Sequence, residues 1–218
     1  MASKTRPIVI INFKTYKEST GKNAILLAKS CDAAAKKYNI DIRIAVQATD
    51  LFAVAKSVKI PVYSQHVDCH SSGQSTGWIT IDAIKSAGAK GSLINHAEHR
   101  IDTATIQKTT KLLRNAKLDA IVCAEHTNKL IELNSVNATI MCIEPPELIG
   151  GNISVTKAKP SIIKDAIKVS KKPLLIGAGV KTNEDLALAL KLGACGVLLA
   201  SGIVLAKNKT TAFKKLLE

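Results

Sequence analysis

The sequence of 218 residues has few aromatic side chains, few arginines and an odd number of cysteines, and these shortages exclude several classes of protein. No apolar run approaches the roughly 18 residues that a membrane-spanning helix needs. The polar first residues lead directly into an apolar, strand-like run, so we expect no secretory signal. The five cysteines form no C-x-x-C pair. We therefore expect reduced thiols in a cytoplasmic protein rather than a disulfide framework.

The charge balance is strongly basic, with 31 lysines and arginines against 17 acidic residues and a net charge of +14. Only four of the basic residues are arginines, and aromatic residues make up 3% of the chain. Nucleic-acid-binding proteins usually add arginine forks or stacking rings to their positive charge. The sequence therefore favours a solvated basic surface that attracts a small anion such as a phosphorylated metabolite, and it favours neither a nucleic acid nor a membrane as partner.

Short apolar runs alternate with amphipathic helical patterns along the whole chain. Runs such as Ile8–Ile11 and Val197–Ala200 are almost continuously apolar, which is typical of parallel strands buried on both faces. The predicted strands are Pro7–Phe13, Asp41–Val46, Pro61–Gln65, Gly91–Asn95, Ala120–Ala124, Ile140–Glu144, Leu174–Gly177 and Gly196–Ala200.

Helical segments are predicted between these strands. Thr182 followed by Asp185 indicates a helix start, and Gly88 and Gly193 lie where helices should end. One apolar stripe consists of Ala24, Leu27, Ala28, Cys31 and Ala35, and a fifth helix is expected around Asn128–Asn134. Eight units of about 27 residues in a chain of 218 predict a single (β/α)8 barrel domain over residues 1–218, of the α/β class, with some helices shortened.

Polar residues follow several predicted strands, at the end of such a barrel where chemistry takes place. A lysine, a histidine and a glutamate therefore share one rim with small residues, whose backbone amides can approach a phosphate. The strand-end segments are Asn12-Phe13-Lys14, Asn95 to Arg100, Glu144 to Asn152, Gly177-Ala178-Gly179 and Ala200-Ser201-Gly202.

These segments resemble the motifs of the triosephosphate isomerase family over almost the whole chain. Four motifs occur in the family's order, each at a predicted strand end: Asn12-Phe13-Lys14 (N-W-K), His96-Ala97-Glu98 (H-S-E), Glu144-Pro145 with Ile149-Gly150 (E-P-x-x-x-I-G), and Gly177-Ala178-Gly179-Val180 (G-G-S-V). The short chain and the lid sequence are most similar to archaeal members. The resemblance implies a TIM barrel that interconverts dihydroxyacetone phosphate and D-glyceraldehyde 3-phosphate, in glycolysis and gluconeogenesis, without a metal or another cofactor.

The resemblance also implies the roles of the site residues. Glu144 would be the base, neutral His96 would polarise the carbonyl group, and Lys14 would supply positive charge. Asn12 would orient Lys14 or contact substrate, and Glu98 would support Lys14 or His96 from behind. The phosphate would be held by backbone amides of Gly150, Gly179, Ala200 and Ser201.

Two loops carry further expectations. The segment Pro145–Asn152 has the form of a closing lid, with two prolines at one hinge and two glycines at the other. The segment His66–Trp78 is long for a compact barrel, and in the family the matching loop reaches into a neighbouring subunit. Thr76 would then touch the partner subunit's Asn12 or Lys14, in a homodimer or a homotetramer. The alternative is a mobile surface loop.

Several alternatives remain open at this point. Glu147 is a rival base, Lys14 could form a Schiff base in an aldolase-like barrel, and the fold could serve a lysine-rich anion-binding protein without activity. Cys123 and Cys142 are interpreted as small core residues without an adjacent base. Two histidine sets could suggest a metal site, but neither completes four ligands: His96 with His99, and His66 with Cys69 and His70.

The chain also departs from the family pattern at several positions. These are Ala97 for serine, Gly179 for serine, Ala200-Ser201 for a glycine pair, His66 for asparagine, Trp78 for glutamate, and Gly151-Asn152 for the usual end of the lid.

Overall fold

The fold is a closed parallel barrel surrounded by helices. The computed structural model describes residues 6–145, 160–177 and 179–218. Neighbouring strands in the chain pair with each other, and the last strand pairs with the first, so the sheet closes completely. The strands are β1 (Ile8–Asn12), β2 (Asp41–Val46), β3 (Val62–Ser64), β4 (Gly91–Ile94), β5 (Asp119–Ala124), β6 (Ile140–Ile143), β7 (Leu174–Ile176) and β8 (Gly196–Leu199). The predicted (β/α)8 class is confirmed.

Helices follow the strands around the outside of the barrel. In the described residues they are α1 (Lys22–Tyr38), α2 (Ala48–Ser57), α3 (Ile81–Ser86), α4 (Thr103–Asn115), α5 (Thr127–Glu132), α6 (Pro160–Val169), α7 (Asn183–Lys191), α8 (Ser201–Val204) and α9 (Lys209–Leu217). Two 3-10 turns, Lys17–Ser19 and Leu133–Ser135, precede α1 and extend α5. The expected fifth helix is therefore present, although its last three residues form a 3-10 turn, and α3, α5 and α8 are the shortened helices.

The predicted strands match the observed ones closely. The bounds of β2 agree at both ends, whereas most other strands end one residue earlier than predicted because the ladder stops where the chain turns at the rim. β5 begins one residue earlier, at Asp119, which pairs with Gly91 of β4. Lys14, His96 and Glu144 therefore lie just beyond the ends of their strands, whereas Asn12 is the last residue of β1.

Strand residues alternate between two apolar layers. Ile10 lies in a small cluster inside the barrel, while its neighbours Val9 and Ile11 belong to the larger layer between strands and helices. Burial on both faces explains why these strands are continuous apolar runs rather than alternating ones.

Helix ends follow the sequence signals. Thr182 and Asp185 form a reciprocal capping box at the start of α7. Gly88 and Gly193 follow the last turns of α3 and α7 with φ values of +93° and +107°, which favour glycine. On α1 the buried stripe includes Ala34 instead of the predicted Ala35, since the helix faces the barrel along a slightly rotated line.

A polar network lies at the amino-terminal end of the barrel. Arg43 donates to Asp41 Oδ2 over 2.8 Å and to the Tyr63 hydroxyl over 3.0 Å, and Tyr63 donates to Asp119 Oδ2 over 2.8 Å. Burial raises the pKa of the Tyr63 phenol, so it remains a donor. This network lies at the end of the barrel opposite the strand ends that carry the predicted site residues.

Candidate active site

One cleft at the carboxyl ends of the strands brings together the described residues that were predicted to form the site. These are Asn12, Lys14, His96, Glu144, Gly179, Ala200 and Ser201, all of which line the cleft. Glu98 lies at its edge through contacts with Lys14 and His96. Parallel strands direct all their carboxyl ends to one side, which is why residues more than 180 positions apart meet here.

The buried glutamate and the histidine lie next to each other at the cleft. Glu144 follows β6 and is 2% exposed, and His96 follows β4 and is 8% exposed. His96 Nε2 lies 3.3 Å from Glu144 Oε1. A carboxylate and an imidazole this close together can both exchange protons with a small molecule that binds against them in the cleft.

Backbone contacts determine the tautomer of His96. The backbone N–H of Glu98 donates to His96 Nδ1 over 3.1 Å, so Nδ1 carries a lone pair and the hydrogen of the neutral ring lies on Nε2. Asn12 Nδ2 lies 3.4 Å from that nitrogen. Because Nε2–H and Nδ2–H are both donors, they are suited to converge on an oxygen atom of a ligand rather than to bond to each other.

Lys14 is held in a left-handed backbone conformation with φ +49°. Its N–H donates to Asn12 Oδ1 over 3.0 Å, and its carbonyl accepts from Gln65 Nε2 over 2.9 Å. Its ammonium group donates to Glu98 Oε1 over 2.6 Å. These contacts compensate for the backbone strain and hold the ammonium group at the cleft.

Two of these contributors were missed by the sequence analysis. Gln65 fixes the backbone of Lys14, and Lys181, between β7 and α7, is a second lysine lining the cleft. Gln65 is the last residue of a predicted strand and directly follows the observed β3, so the strand-end rule that located Lys14 could also have found it.

The residues at the floor of the cleft were only partly predicted from the sequence. Cys123 and Cys142 are buried strand residues as predicted, but Glu144 lies beside them, so the expectation of no adjacent base is wrong. The signal was available, because residues 142 and 144 are two apart and point to the same side of a strand. Contact with the Cys142 thiol, burial and the nearby Glu144 carboxylate raise the pKa of the Cys123 thiol well above its usual value.

Gly177 after β7 completes this floor. A Cβ atom there would lie 2.5 Å from Glu144 Cγ and 2.6 Å from Cys142 Sγ. Within the described residues, Glu144 Oε2 is buried without a hydrogen-bond partner. The absence of a side chain at Gly177 therefore makes room for the carboxylate.

The loop from His66 to Trp78 folds back on itself beside the cleft. The N–H of Asp68 donates to the carbonyl of Ile79 and its carboxylate accepts from the N–H of Ile79, both over 2.8 Å. Thr76 is exposed, and Trp78 is 53% exposed while its ring stacks on His70. These hydrogen bonds hold the two ends of the loop together and leave its tip facing outward.

The two histidine sets considered as metal ligands make other contacts. His96 Nδ1 accepts a hydrogen bond, and the rings of His66 and His99 stack with centroids 4.0 Å apart. Burial and the neighbouring His66 lower the pKa of His99. Where the structure describes the chain, the group of histidine, cysteine and acidic side chains close enough to hold a metal is Cys123, Cys142 and Glu144.

Some predicted features lie outside the described residues. They are Gly150, Glu147, Ala178 and the lid from Pro146 to Asn152. In the part of the chain that is described, no helix is both long and apolar enough to cross a membrane.

Fold and site together define the chain as a (β/α)8-barrel protein with a strand-end cleft suited to proton exchange beside a fixed cation. The family model for triosephosphate isomerase matches residues 7–218. The chain therefore belongs to the triosephosphate isomerase family.

Its similar curated relatives are archaeal triosephosphate isomerases. It is 42% identical to the protein of Methanothermus fervidus, over 97% of this chain and 98% of that one. It is also 42% identical to the protein of Archaeoglobus fulgidus, over 96% of each chain. The crystal structure of triosephosphate isomerase from Bartonella henselae superposes with a TM-score of 0.69 over 90% of this chain and 92% of that chain, at 22% identity, which shows the shared fold.

Proposed function

We propose that this isomerase interconverts dihydroxyacetone phosphate and D-glyceraldehyde 3-phosphate through an enediolate intermediate. The observation that carries the proposal is the pairing of Glu144 and His96 at 3.3 Å, in a cleft that also presents Lys14. Family membership supports the substrate pair. The site residues and the pathway of the proton are our inference from the geometry.

Glu144 acts as the base in this mechanism. Its carboxylate removes a proton from the carbon next to the carbonyl group and returns it to the neighbouring carbon. Burial at 2% exposure keeps bulk water from competing for that proton. Glu144 lies on the end of a strand, and Gly177 leaves it room, so its position is set by the barrel rather than by a loop.

His96 and Asn12 stabilise the developing oxyanion. The neutral ring donates through Nε2–H to the substrate oxygens and transfers protons between them. Asn12 Nδ2, 3.4 Å from that nitrogen, provides a second donor at the same point. Donors fixed before the reaction are worth several kcal/mol in a water-poor site, about 3–4 for one donor.

Lys14 and the small residues after β7 and β8 bind the phosphate end. Lys14 supplies the charge, and Glu98 holds its ammonium group in place. Gly179, Ala200 and Ser201 line the same cleft, and the first amides of a helix such as α8 have no partner within the helix. We propose that these backbone amides and the backbone amide of Gly150 bind the phosphate.

We further propose that the protein is a homodimer or a homotetramer of one-domain subunits in the cytoplasm. The exposed tip of the loop at Thr76, with the half-exposed Trp78 beside it, supports contact with a second subunit. Light scattering on the purified protein tests this. A monomer at micromolar concentration would contradict it.

A coupled isomerase assay in both directions, with the purified protein, tests the proposed activity. The aldolase-like alternative requires a Schiff base on a lysine, whereas the residue directly after β6 is Glu144 and Lys14 pairs with Glu98. Borohydride trapping in the presence of dihydroxyacetone phosphate should therefore give no adduct. A covalent adduct on Lys14 without isomerase turnover would favour the aldolase reaction.

A further inference from the structure

Two thiols and a carboxylate converge beneath the cleft. Cys123 of β5 and Cys142 of β6 are register partners and both belong to the cluster inside the barrel. Glu144 follows Cys142 by two residues. One ligand atom from each of the three side chains lies within 4.8 Å of the other two, and all three residues are buried.

This donor set suits a thiophilic cation. Thiolate and carboxylate are ligands of zinc, with bonds of about 2.3 and 2.0–2.2 Å, so a tetrahedral ion holds its ligand atoms roughly 3.3–3.8 Å apart. The three atoms lie within 4.8 Å of one another, so none of their separations exceeds that spacing by more than about 1 Å. Magnesium and calcium prefer all-oxygen sites and do not fit two thiolates.

We propose that Cys123, Cys142 and Glu144 form a binding site for Zn²⁺ or its analogue Cd²⁺, and that the bound ion removes Glu144 from catalysis. Water from the cleft takes the fourth position. His96 is not assigned as a ligand, because its Nε2 carries the ring hydrogen while Nδ1 accepts from the N–H of Glu98.

Replacing the two thiol protons by a divalent ion leaves the net charge inside the barrel unchanged. Two S–H bonds break, two sulfur–metal bonds form, both protons leave to solvent, and nothing is oxidised or reduced. Two neutral thiols and one carboxylate carry a charge of −1. Two thiolates, one carboxylate and a divalent ion also carry −1. No additional net charge is buried, so the large cost of placing an ion in an apolar interior is avoided.

The ion must displace bound protons to enter. An ordinary cysteine thiol has a pKa of about 8.5 and is mostly protonated at neutral pH. A coordinating cation deprotonates a thiol outright. Binding should therefore release two protons per ion.

The consequence for turnover depends on the proposed function. A carboxylate that coordinates an ion cannot remove a proton from substrate, so zinc should inhibit the isomerase and a chelator should restore it. The binding site itself stands on the geometry of the three side chains and can be tested without substrate.

The test is titration of the full-length protein with Cd²⁺, followed by the ultraviolet thiolate-to-metal charge-transfer absorption. The parent protein carries Cys69→Ser, which removes the partly exposed thiol in the loop. Cys123→Ala and Cys142→Ala are compared with Cys31→Ala, which removes a fully buried thiol from α1 outside the barrel. The corresponding serine variants replace either alanine variant if circular dichroism shows that it does not fold.

We expect one ion per subunit in the parent and in Cys31→Ala. We expect at least about 10-fold weaker binding in each of the other two variants, because losing even an outer partner of a metal site typically costs that much. Zinc inhibition should weaken in the same variants. Absence of the charge-transfer band from the parent, or equal affinity in all three variants, would overturn the proposal.

The two proposals fail separately. A band that disappears in the Cys123 and Cys142 variants, in a protein without turnover on triose phosphates, would uphold the metal site and refute the proposed reaction. An active isomerase without the charge-transfer band would uphold the proposed reaction and refute the metal site.

Discussion

Replacing Gly177 by alanine places one methyl group against the proposed base and leaves its chemistry unaltered. The new Cβ would lie 2.5 Å from Glu144 Cγ and 3.1 Å from Glu144 Oε1. Carbon atoms in contact are normally about 3.5–4.0 Å apart, so the glutamate side chain must withdraw by about 1 Å. The backbone of Gly177 has no left-handed φ, so the effect arises from crowding and not from backbone strain.

The size of the effect follows from that displacement. A misplacement of about 1 Å at a reacting group can cost on the order of 10²-fold in rate, or about 2.7 kcal/mol in the activation free energy. We therefore expect Gly177→Ala to lower kcat by about 100-fold. Crowding against Cys142 Sγ at 2.6 Å should also reduce the free energy of unfolding, by about 1–3 kcal/mol.

The assay is steady-state isomerase kinetics, coupled to a dehydrogenase, on protein shown by circular dichroism to be folded. Inhibition by inorganic phosphate serves as an internal control, because Gly179, Ala200 and Ser201 are not displaced, so its inhibition constant should stay near that of the wild type. A folded Gly177→Ala variant with kcat within about threefold of wild type would refute the placement of Glu144 as the base.

Three further predictions test other parts of the argument. Glu144→Asp shortens the base by one methylene and should lower kcat by about 10²-fold in the coupled assay, and wild-type turnover would show that another group is the base. Lys14→Ala removes the cation and should reduce both turnover and phosphate inhibition, whereas unchanged phosphate inhibition would exclude Lys14 from the anion site. Thr182→Ala removes the capping box shared with Asp185 and should cost about 1 kcal/mol, or about 2–4 °C in Tm by calorimetry. Thr210→Ala, on the exposed face of α9, is its control and should leave Tm unchanged; equal shifts in both variants would contradict the role of the cap.

The strands were predictable because burial on both faces determines which residues their local sequence contains. Strands covered on both faces need apolar residues at every position, and β1 and β8 consequently appear as unbroken runs. The number of such runs predicted the barrel. The barrel in turn predicted that Lys14, His96 and Glu144 lie on one rim, because the strands of a barrel all end at the same side. The helix signals at Thr182 and Gly193 act over three or four residues and were equally accessible.

Contacts between elements could not be predicted in the same way. Nothing local to β3 indicates that Gln65 binds the carbonyl of Lys14, since 51 residues separate the two. The alignment of Cys123 with Cys142 depends on the register between β5 and β6, which barrel closure decides. The room that Gly177 leaves for Glu144 depends on the neighbouring strand in the same way.

The sequence by itself determined the class of fold, the order of the strands and the residue types at the open mouth, because periodicity and strand ends are local properties of a chain. Only the tertiary structure decided which atoms meet: the tautomer of His96, the conformation of Lys14 and the two thiols beneath the carboxylate. The physical reason is that those distances depend on the packing and register of segments far apart in sequence, which no local pattern specifies.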